Sequence, residues 1–408
     1  MRVAFTLAVA AACTATTLLA QGRGGGQPPA PIVAYENARV IVGDGRAALE
    51  NATVVVQGGR IVAVGSNVTP GGAQRVDLAG KTVMPMIVDT HVHLSQERAA
   101  LEQDLRRRAH WGVSAALSMG QDTEAAPFDV RANPIPGAAR FFTAGRGITR
   151  PEPGRSMAPF WVNTPEEARA AVRENAAKGV DIIKIWVDDR NGMFPKLTPP
   201  LYTAIIEEAH QRGVSVAAHI FTLEDAKGLI QAGLDAFAHG VRDREVDNAF
   251  LQMWRSRREN VVLIPNLPGR GVRVDYTWLR GFLSDAELMK LEMGNTDNPQ
   301  AQQGFAIQAK NLKALSDIGA TITVGTDGNN PYAAHFEMED MVATGMTPMQ
   351  VITAATRNGA EFLRMNDTGT LEAGKRADFI VLDANPLENI TNTRRINAVY
   401  LQGTQVQR

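Results

Sequence analysis

His91 and His93 stand two residues apart behind the apolar run Met84 to Val88. Alternation along an extended backbone turns both imidazoles to one side. Paired imidazoles on one face are ligands for a first-row divalent ion. Lys184 lies inside Ile182-Ile183-Lys184-Ile185-Trp186, where a charged, unpaired ammonium would be costly. That position calls for a modification or a partner. His219 closes the run Ser215 to Ala218, His239 closes Ala236 to Ala238, and Asp327 follows Val324-Gly325-Thr326. A single histidine at a strand end is commonly just hydrogen-bonded structure, and Asp327 alone could cap the turn at Gly328. Four of the seven histidines falling at such ends, with an anomalous lysine and a carboxylate, point instead to metal-assisted chemistry. Of the remaining three, His110 and His210 sit near the C-termini of expected helices, where they suit the dipole. His335, in His335-Phe336-Glu337-Met338-Glu339, stays open between a substrate contact and a helix cap.

Bringing six such groups together needs elements that converge. The middle of the chain alternates strand and helix. Parallel strands are expected at Thr82–Asp89, Val113–Ser118, Arg140–Ala144, Asp181–Val187, Ser215–His219, Ala236–His239, Val261–Pro265 and Thr321–Thr326. Eight is the number that closes an α/β (β/α)8 TIM barrel, whose functional groups sit at the C-terminal strand ends. Thr164-Pro165-Glu166-Glu167 is a capping box opening a helix to Lys178, and Thr347-Pro348-Met349-Gln350 opens another. Tyr202–Gln211, Leu223–Ala232 and Gln302–Ile318 also suit helices. Met119 to Thr164 is irregular and Pro-rich, which suits long loops over an active site. At both ends of the chain short β-rich runs replace this rhythm. One is a hairpin, Thr53–Gln57 and Arg60–Val64, around Gly58-Gly59. Residues 32–84 and 366–408 are therefore expected to build one small β-sandwich, with a barrel domain over 85–365 inserted between its halves.

Composition sets the outer limits. The chain has 408 residues and a formal net charge of -1, so nothing electrostatic favours a nucleic acid. Residues 1–20 read as a secretory signal peptide, and 21–31 as a Gly/Pro-rich flexible tether. The expected location is periplasmic or secreted, with no stable membrane insertion after cleavage. An uncleaved anchor is the alternative. The sole cysteine, Cys13, falls inside the leader, so a thiol nucleophile and a Cys-ligated zinc are not expected in the mature chain. Lipidation of Cys13 is a further alternative.

Taken in order, the pieces resemble the amidohydrolase superfamily, most closely its imidazolonepropionase-like and prolidase-like branch. They are Met84-Pro85-Met86-Ile87-Val88-Asp89-Thr90-His91-Val92-His93, Ile183-Lys184-Ile185, Ala217-Ala218-His219, Ala238-His239-Gly240, Gly325-Thr326-Asp327 and the closing run Gly369 to Asp378. The resemblance implies two divalent metal ions, with Zn2+ expected and manganese, cobalt or iron open. His91, His93 and Asp327 would hold the first, and His219 and His239 the second. Lys184, carboxylated by CO2, would bridge them. Asp327 would also move the proton from the attacking hydroxide to a leaving amine. The implied substrate is a small molecule, an N-acyl amino acid or a dipeptide. Its carboxylate would need a cation or hydroxyl near the mouth, for which Arg146, Arg150, Arg155, Tyr202 and Arg270 are candidates. A one-metal cyclic-amide hydrolase or deaminase, and a non-catalytic binding protein on the same fold, are the alternatives. A homo-oligomer is compatible with all three. Two positions depart from the family pattern: Met86 stands where Gly is usual, and Gly328-Asn329 replaces Ala-Gly.

Overall fold

The computed structural model describes residues 30–257 and 261–408. The expected leader over 1–20, with Cys13, and all but the last two residues of the 21–31 tether lie outside the described residues. Strand β1 (Ile32–Val40) pairs antiparallel with β2 (Leu49–Gln57), and β2 with β3 (Arg60–Gly65). The expected Gly58-Gly59 turn joins β2 to β3, both glycines having positive φ, 58° and 77°. Strand β4 (Gln74–Asp77) runs parallel to the start of β1, and β5 (Thr82–Pro85) to its end.

The next segment carries the site. Strand β6 (Ile87–Val92) is followed by α1 (Arg98–His110), β7 (Val113–Ser118), α2 (Ala125–Ala132) and β8 (Arg140–Thr143). Two short strands, β9 (Ile148–Thr149) and β10 (Phe160–Trp161), precede α3 (Pro165–Ala177). The capping box forms as expected: Thr164 accepts from the Glu167 amide and Pro165 opens the helix, an arrangement worth about 1 kcal/mol. Then come β11 (Ile182–Val187), α4 (Pro199–Gln211), β12 (Ser215–Ile220), α5 (Leu223–Ala232), β13 (Ala236–Ala238), α6 (Asn248–Arg257) and β14 (Val262–Ile264). Helices α7 (Asp285–Met293) and α8 (Pro299–Asp317), strand β15 (Thr321–Ile322), and helices α9 (Ala333–Ala343) and α10 (Pro348–Thr353) complete the segment.

The eight expected parallel strands are all present, as β6 to β8 and β11 to β15, but they do not share one continuous ladder. They divide into a three-stranded sheet, β6-β7-β8, and a seven-stranded sheet, β10-β9-β11-β12-β13-β14-β15. The division has a local cause. The chain from Gly145 to Val162 folds β9 against β11, Ile148 facing Ile185, and occupies the edge that β8 would otherwise take. Backbone bonds from Asp181 N–H to Thr143 O and from Gly147 N–H to Gly120 O, both 2.8 Å, link the two sheets' segments at that side. At the other side Thr90 N–H bonds Val324 O at 2.8 Å and Thr326 N–H bonds His91 O at 2.9 Å. Strands β13 to β15 also stop short of their expected ends, and beyond them His239, Asn266 and Asp327 leave the extended region with φ of 110°, 43° and 52°.

The chain returns as β16 (Phe379–Leu382), β17 (Ile396–Leu401) and β18 (Thr404–Gln405). Both chain ends then meet in one eight-stranded sheet, β18-β17-β16-β5-β1-β2-β3 with β4 beside β1. What was expected as a two-layer sandwich appears in the pairing as this single sheet. Its joint is β5 against β16, Thr82 opposite Leu382. Alternation along β16 serves two cores. Phe379 and Val381 join Tyr35, Val54 and Ile61, while Ile380 and Leu382 join the core beneath the parallel strands. Covered on both faces, the strand reads as an unbroken apolar run. Each such side chain contributes roughly 1.5–3 kcal/mol.

Candidate metal centre

Four imidazoles, one carboxylate and one amine line a single cavity of about 150 Å³: His91, His93, His219, His239, Asp327 and Lys184. Asp327 Oδ1 lies 3.1 Å from His91 Nε2 and 2.9 Å from His93 Nε2, and Oδ2 lies 3.6 Å from His239 Nε2. The rings of His219 and His239 follow at 4.7 Å between centroids. Ligand atoms of His91, His239 and Asp327 fall within 4.8 Å of one another. Burial pushes His91 and His219 down to about 3 and His239 well below its usual value, so the rings are neutral, the form that binds metal. Burial alone would raise Asp327, but the imidazoles packed against it, His91 and His93 foremost, outweigh it and hold the carboxyl well below the usual range. Lys184 is 1% exposed, and its Nζ has no hydrogen-bond partner. Desolvation brings that amine down to about 7. Buried nitrogens left without partners around one carboxylate are the donor set of a divalent cation.

Further side chains orient these groups. His91 Nδ1 lies 2.9 Å from Asn266 Oδ1, an oxygen that can only accept, so Nδ1 carries the proton and Nε2 is free to ligate. His219 Nε2 donates to Asp188 Oδ2 at 2.9 Å, and Arg190 Nη1 donates to the same oxygen at 2.6 Å. Room for these groups depends on glycines. A Cβ on Gly325 would lie 2.8 Å from His91 Cβ, one on Gly120 would lie 2.9 Å from Lys184 Cγ, and one on Gly147 would overlap the Trp186 ring. Gly147→Ala should therefore displace Trp186, which lines the cavity beside Lys184. The expected cost is about 1–3 kcal/mol of stability together with a clear loss of metal affinity. An unchanged melting temperature and metal titration would contradict that placement of the ring.

The amidohydrolase family model matches residues 82–406. The chain belongs to the amidohydrolase family. It falls in the imidazolonepropionase- and prolidase-like branch. The ochratoxinase of Aspergillus niger is 30% identical over 261 residues, covering 60% of this chain and 50% of that protein. The chain thus spans about half the length of this curated relative. The imidazolonepropionase of Deinococcus radiodurans is 26% identical over 359 residues, covering 81% of this chain and 85% of its own. A solved structure assigned as a prolidase, from Bifidobacterium longum, is 29% identical, with a TM-score of 0.76 over 93% of this chain and 96% of its own. The likeness carries the TIM-barrel-type α/β fold of the amidohydrolases.

Within this amidohydrolase, six of the eight sequence-derived site residues meet and two do not. Tyr202 is buried on α4, its hydroxyl packed against Gly228 of α5, away from the cavity. His335 is buried on α9, with Nδ1 3.1 Å from Thr393 Oγ1 and Nε2 3.1 Å from Trp111 O. Both ring nitrogens are taken, which leaves none for a substrate. Of the candidate cations only Arg155 lines the cavity. Arg146 stacks on Phe160, Arg150 donates to Asn163 O, and Arg270 pairs with Glu339 and Asp340. Met86 is buried in the core. Sequence reasoning missed Asp188, Arg190, Glu152 and Asn266. Asp188 and Asn266 follow strands β11 and β14 almost directly, so the strand-end rule that found Asp327 applies to them as well.

Burial pushes His335 down to about 3, while its value in an unfolded chain is about 6.5. Between those values acid protonates the unfolded chain first, so this residue lowers stability as pH falls from about 6.5 toward 3. His335→Gln should lower the melting temperature at pH 7, yet show a shallower decline between pH 6.5 and 4 than the wild type. Parallel declines would show that His335 is not held neutral.

Proposed function

We propose that the chain is a metal-dependent hydrolase that cleaves a carbon–nitrogen amide bond in a dipeptide or N-acyl amino acid. The observation that carries this reading is the buried, unpartnered amine of Lys184 in one cavity with four imidazoles and Asp327. The neutral Nζ adds to CO2, forms an N–C bond and loses a proton to water. The resulting carbamate presents two anionic oxygens, the ligand type two nearby dications need. His91, His93 and Asp327 would hold one ion, His219 and His239 the other, with zinc suited to the imidazole and carboxylate donors. Such ions supply Lewis acidity, lowering the pKa of water and polarising a carbonyl. Asp327 receives the proton given up by the attacking water and delivers it to the leaving nitrogen. Arg155 and Arg190 line the same cavity on either side of Glu152 and supply positive charge for the substrate carboxylate.

In this reading the two parallel sheets are arcs of one (β/α)8 barrel over 85–365, closed through Thr90, His91, Thr143 and Asp181. The sheet from 32–84 and 366–408 folds into the accessory β-sandwich. The leader over 1–20 directs export to the periplasm or medium. Among the described residues no helix is long and apolar enough to cross a membrane.

The test is amine release from a panel of N-acyl amino acids and dipeptides, each alongside its C-terminal amide, with metal counted per chain. Two ions per chain and a preference for free carboxylates support the proposal. Absence of amine release from every member of the panel by the metal-loaded protein would overturn it. One observation favours a second reading. The tightest ligand group, His91, His239 and Asp327, needs only one ion. One ion per chain, with ring opening of a cyclic amide, would favour a mononuclear cyclic-amide hydrolase.

A further inference from the structure

We infer that Asp104 and Arg108 of α1 are positioning residues that hold the loops carrying His93 and Asp327 at a fixed separation. The inference rests on reading that cluster as a metal centre. The seam between β6 and β15 is one of two breaks in the ladders of the parallel strands, and the one that divides the site. Here no ladder forms, and only two isolated bridges join the strands, Asp89 with Val324 and Val92 with Gly328. His91 and His93 sit on one side of that seam and Asp327 on the other.

Helix α1 spans it. Asp104 Oδ2 accepts from the Ser95 N–H at 3.1 Å and from Asn329 Nδ2 at 2.9 Å. Ser95 is two residues past His93, and Asn329 two past Asp327. Arg108, one turn on and on the same helix face, donates from Nη1 to Asn329 Oδ1 at 3.1 Å and from Nη2 to Gly328 O at 3.2 Å. The Asn329 amide is thus engaged at both ends. Gly328 O also accepts the His93 N–H at 3.2 Å, so one carbonyl joins all three segments. Arg108 is 1% exposed, and a buried guanidinium persists only where it is paired and bonded. From beneath, Asp89 binds the same two segments, through the Thr326 hydroxyl at 2.8 Å and the His91 N–H at 3.3 Å. The Gly328-Asn329 pair that departs from the family pattern thereby acquires a role: Asn329 is the piece that α1 grips.

Asn329 is exposed and Asp104 partly so, which makes Asn329→Ala and Asp104→Ala suitable variants, while Arg108 is too deeply buried to be the first choice. In metal-free protein, hydrogen exchange at the His93, Thr326 and Asp327 amides should quicken about tenfold in both variants. In zinc-loaded protein, release of zinc to a chelator should quicken about 10–100-fold. kcat should fall with KM unchanged, the pattern of a displaced reacting group rather than lost binding. Asp104→Asn keeps an acceptor for both donors and should restore all three readouts. Wild-type exchange and zinc release in the two alanine variants, or failure of Asp104→Asn to restore them, would overturn the inference. A wild-type chain that takes up no zinc would sink the metal-centre reading instead, and exchange in the metal-free protein would still decide the clamp.

Discussion

Lys184→Ala should fold normally, lose bound metal, and turn over at least about 10³-fold more slowly, equivalent to about 4 kcal/mol of transition-state stabilisation. Fold and function part company here for a physical reason. The amine is buried with no hydrogen-bond partner, so in the metal-free protein it is a desolvated polar group that contributes cost without return. Removing it leaves a small gap but relieves that penalty, and the metal-free melting temperature should hold or rise. Such a trade of stability for activity is expected where a site is organised for a ligand rather than for packing. Metal content by elemental analysis, kcat, and thermal melting of the metal-free protein check the three parts. A variant with full metal content and wild-type turnover would remove the bridging role altogether.

Asp327→Asn should lower kcat by about 10²–10⁴-fold while KM moves little and part of the metal is retained. The carboxylate contacts three imidazoles, His91, His93 and His239. The amide keeps the shape and tolerates the residue's φ of 52°, so the fold is preserved. What is lost is the anion and the capacity to take a proton. All four imidazoles remain, which is why metal binding weakens rather than disappears. A variant with kcat within about threefold of wild type at equal metal loading would mean that the proton travels by another group.

The residues that read most clearly in the sequence were those tied to strand periodicity. His91 and His93 are legible because extended backbone repeats every two residues, and Lys184 because an amine inside an apolar strand contradicts its surroundings. Asp327 and His239 are legible as the last residues of apolar runs, although their positive φ values are not. Asp188 and Asn266 were hidden because their importance lies in what they touch, His219 and His91, each on another strand. His335 shows the opposite failure. Its place just past the last strand suggested the pocket, but α9 turns it toward Trp111, and a lone histidine among apolar and acidic neighbours does not reveal which way its helix faces. Tyr202 failed likewise, since the side of α4 it occupies is set by α5. The division of the parallel strands was unreadable for a further reason. Residues 145–162 have no apolar period, and only the folded chain shows β9 taking the edge beside β11.

The sheet built from both chain ends has a consequence for biosynthesis. Strand β5, which leads directly into the first two histidines, has one neighbour in β1 and finds its other only in β16. Until Phe379 has been synthesised, that edge offers unsatisfied donors and acceptors to any passing strand. The histidine pair therefore acquires a rigid base only once residues 379–382 have been made. A chain stopped before that point would contain all six residues of the candidate site yet present a sticky open edge. Strand β16 thus acts as a late check on the strand that leads into the site.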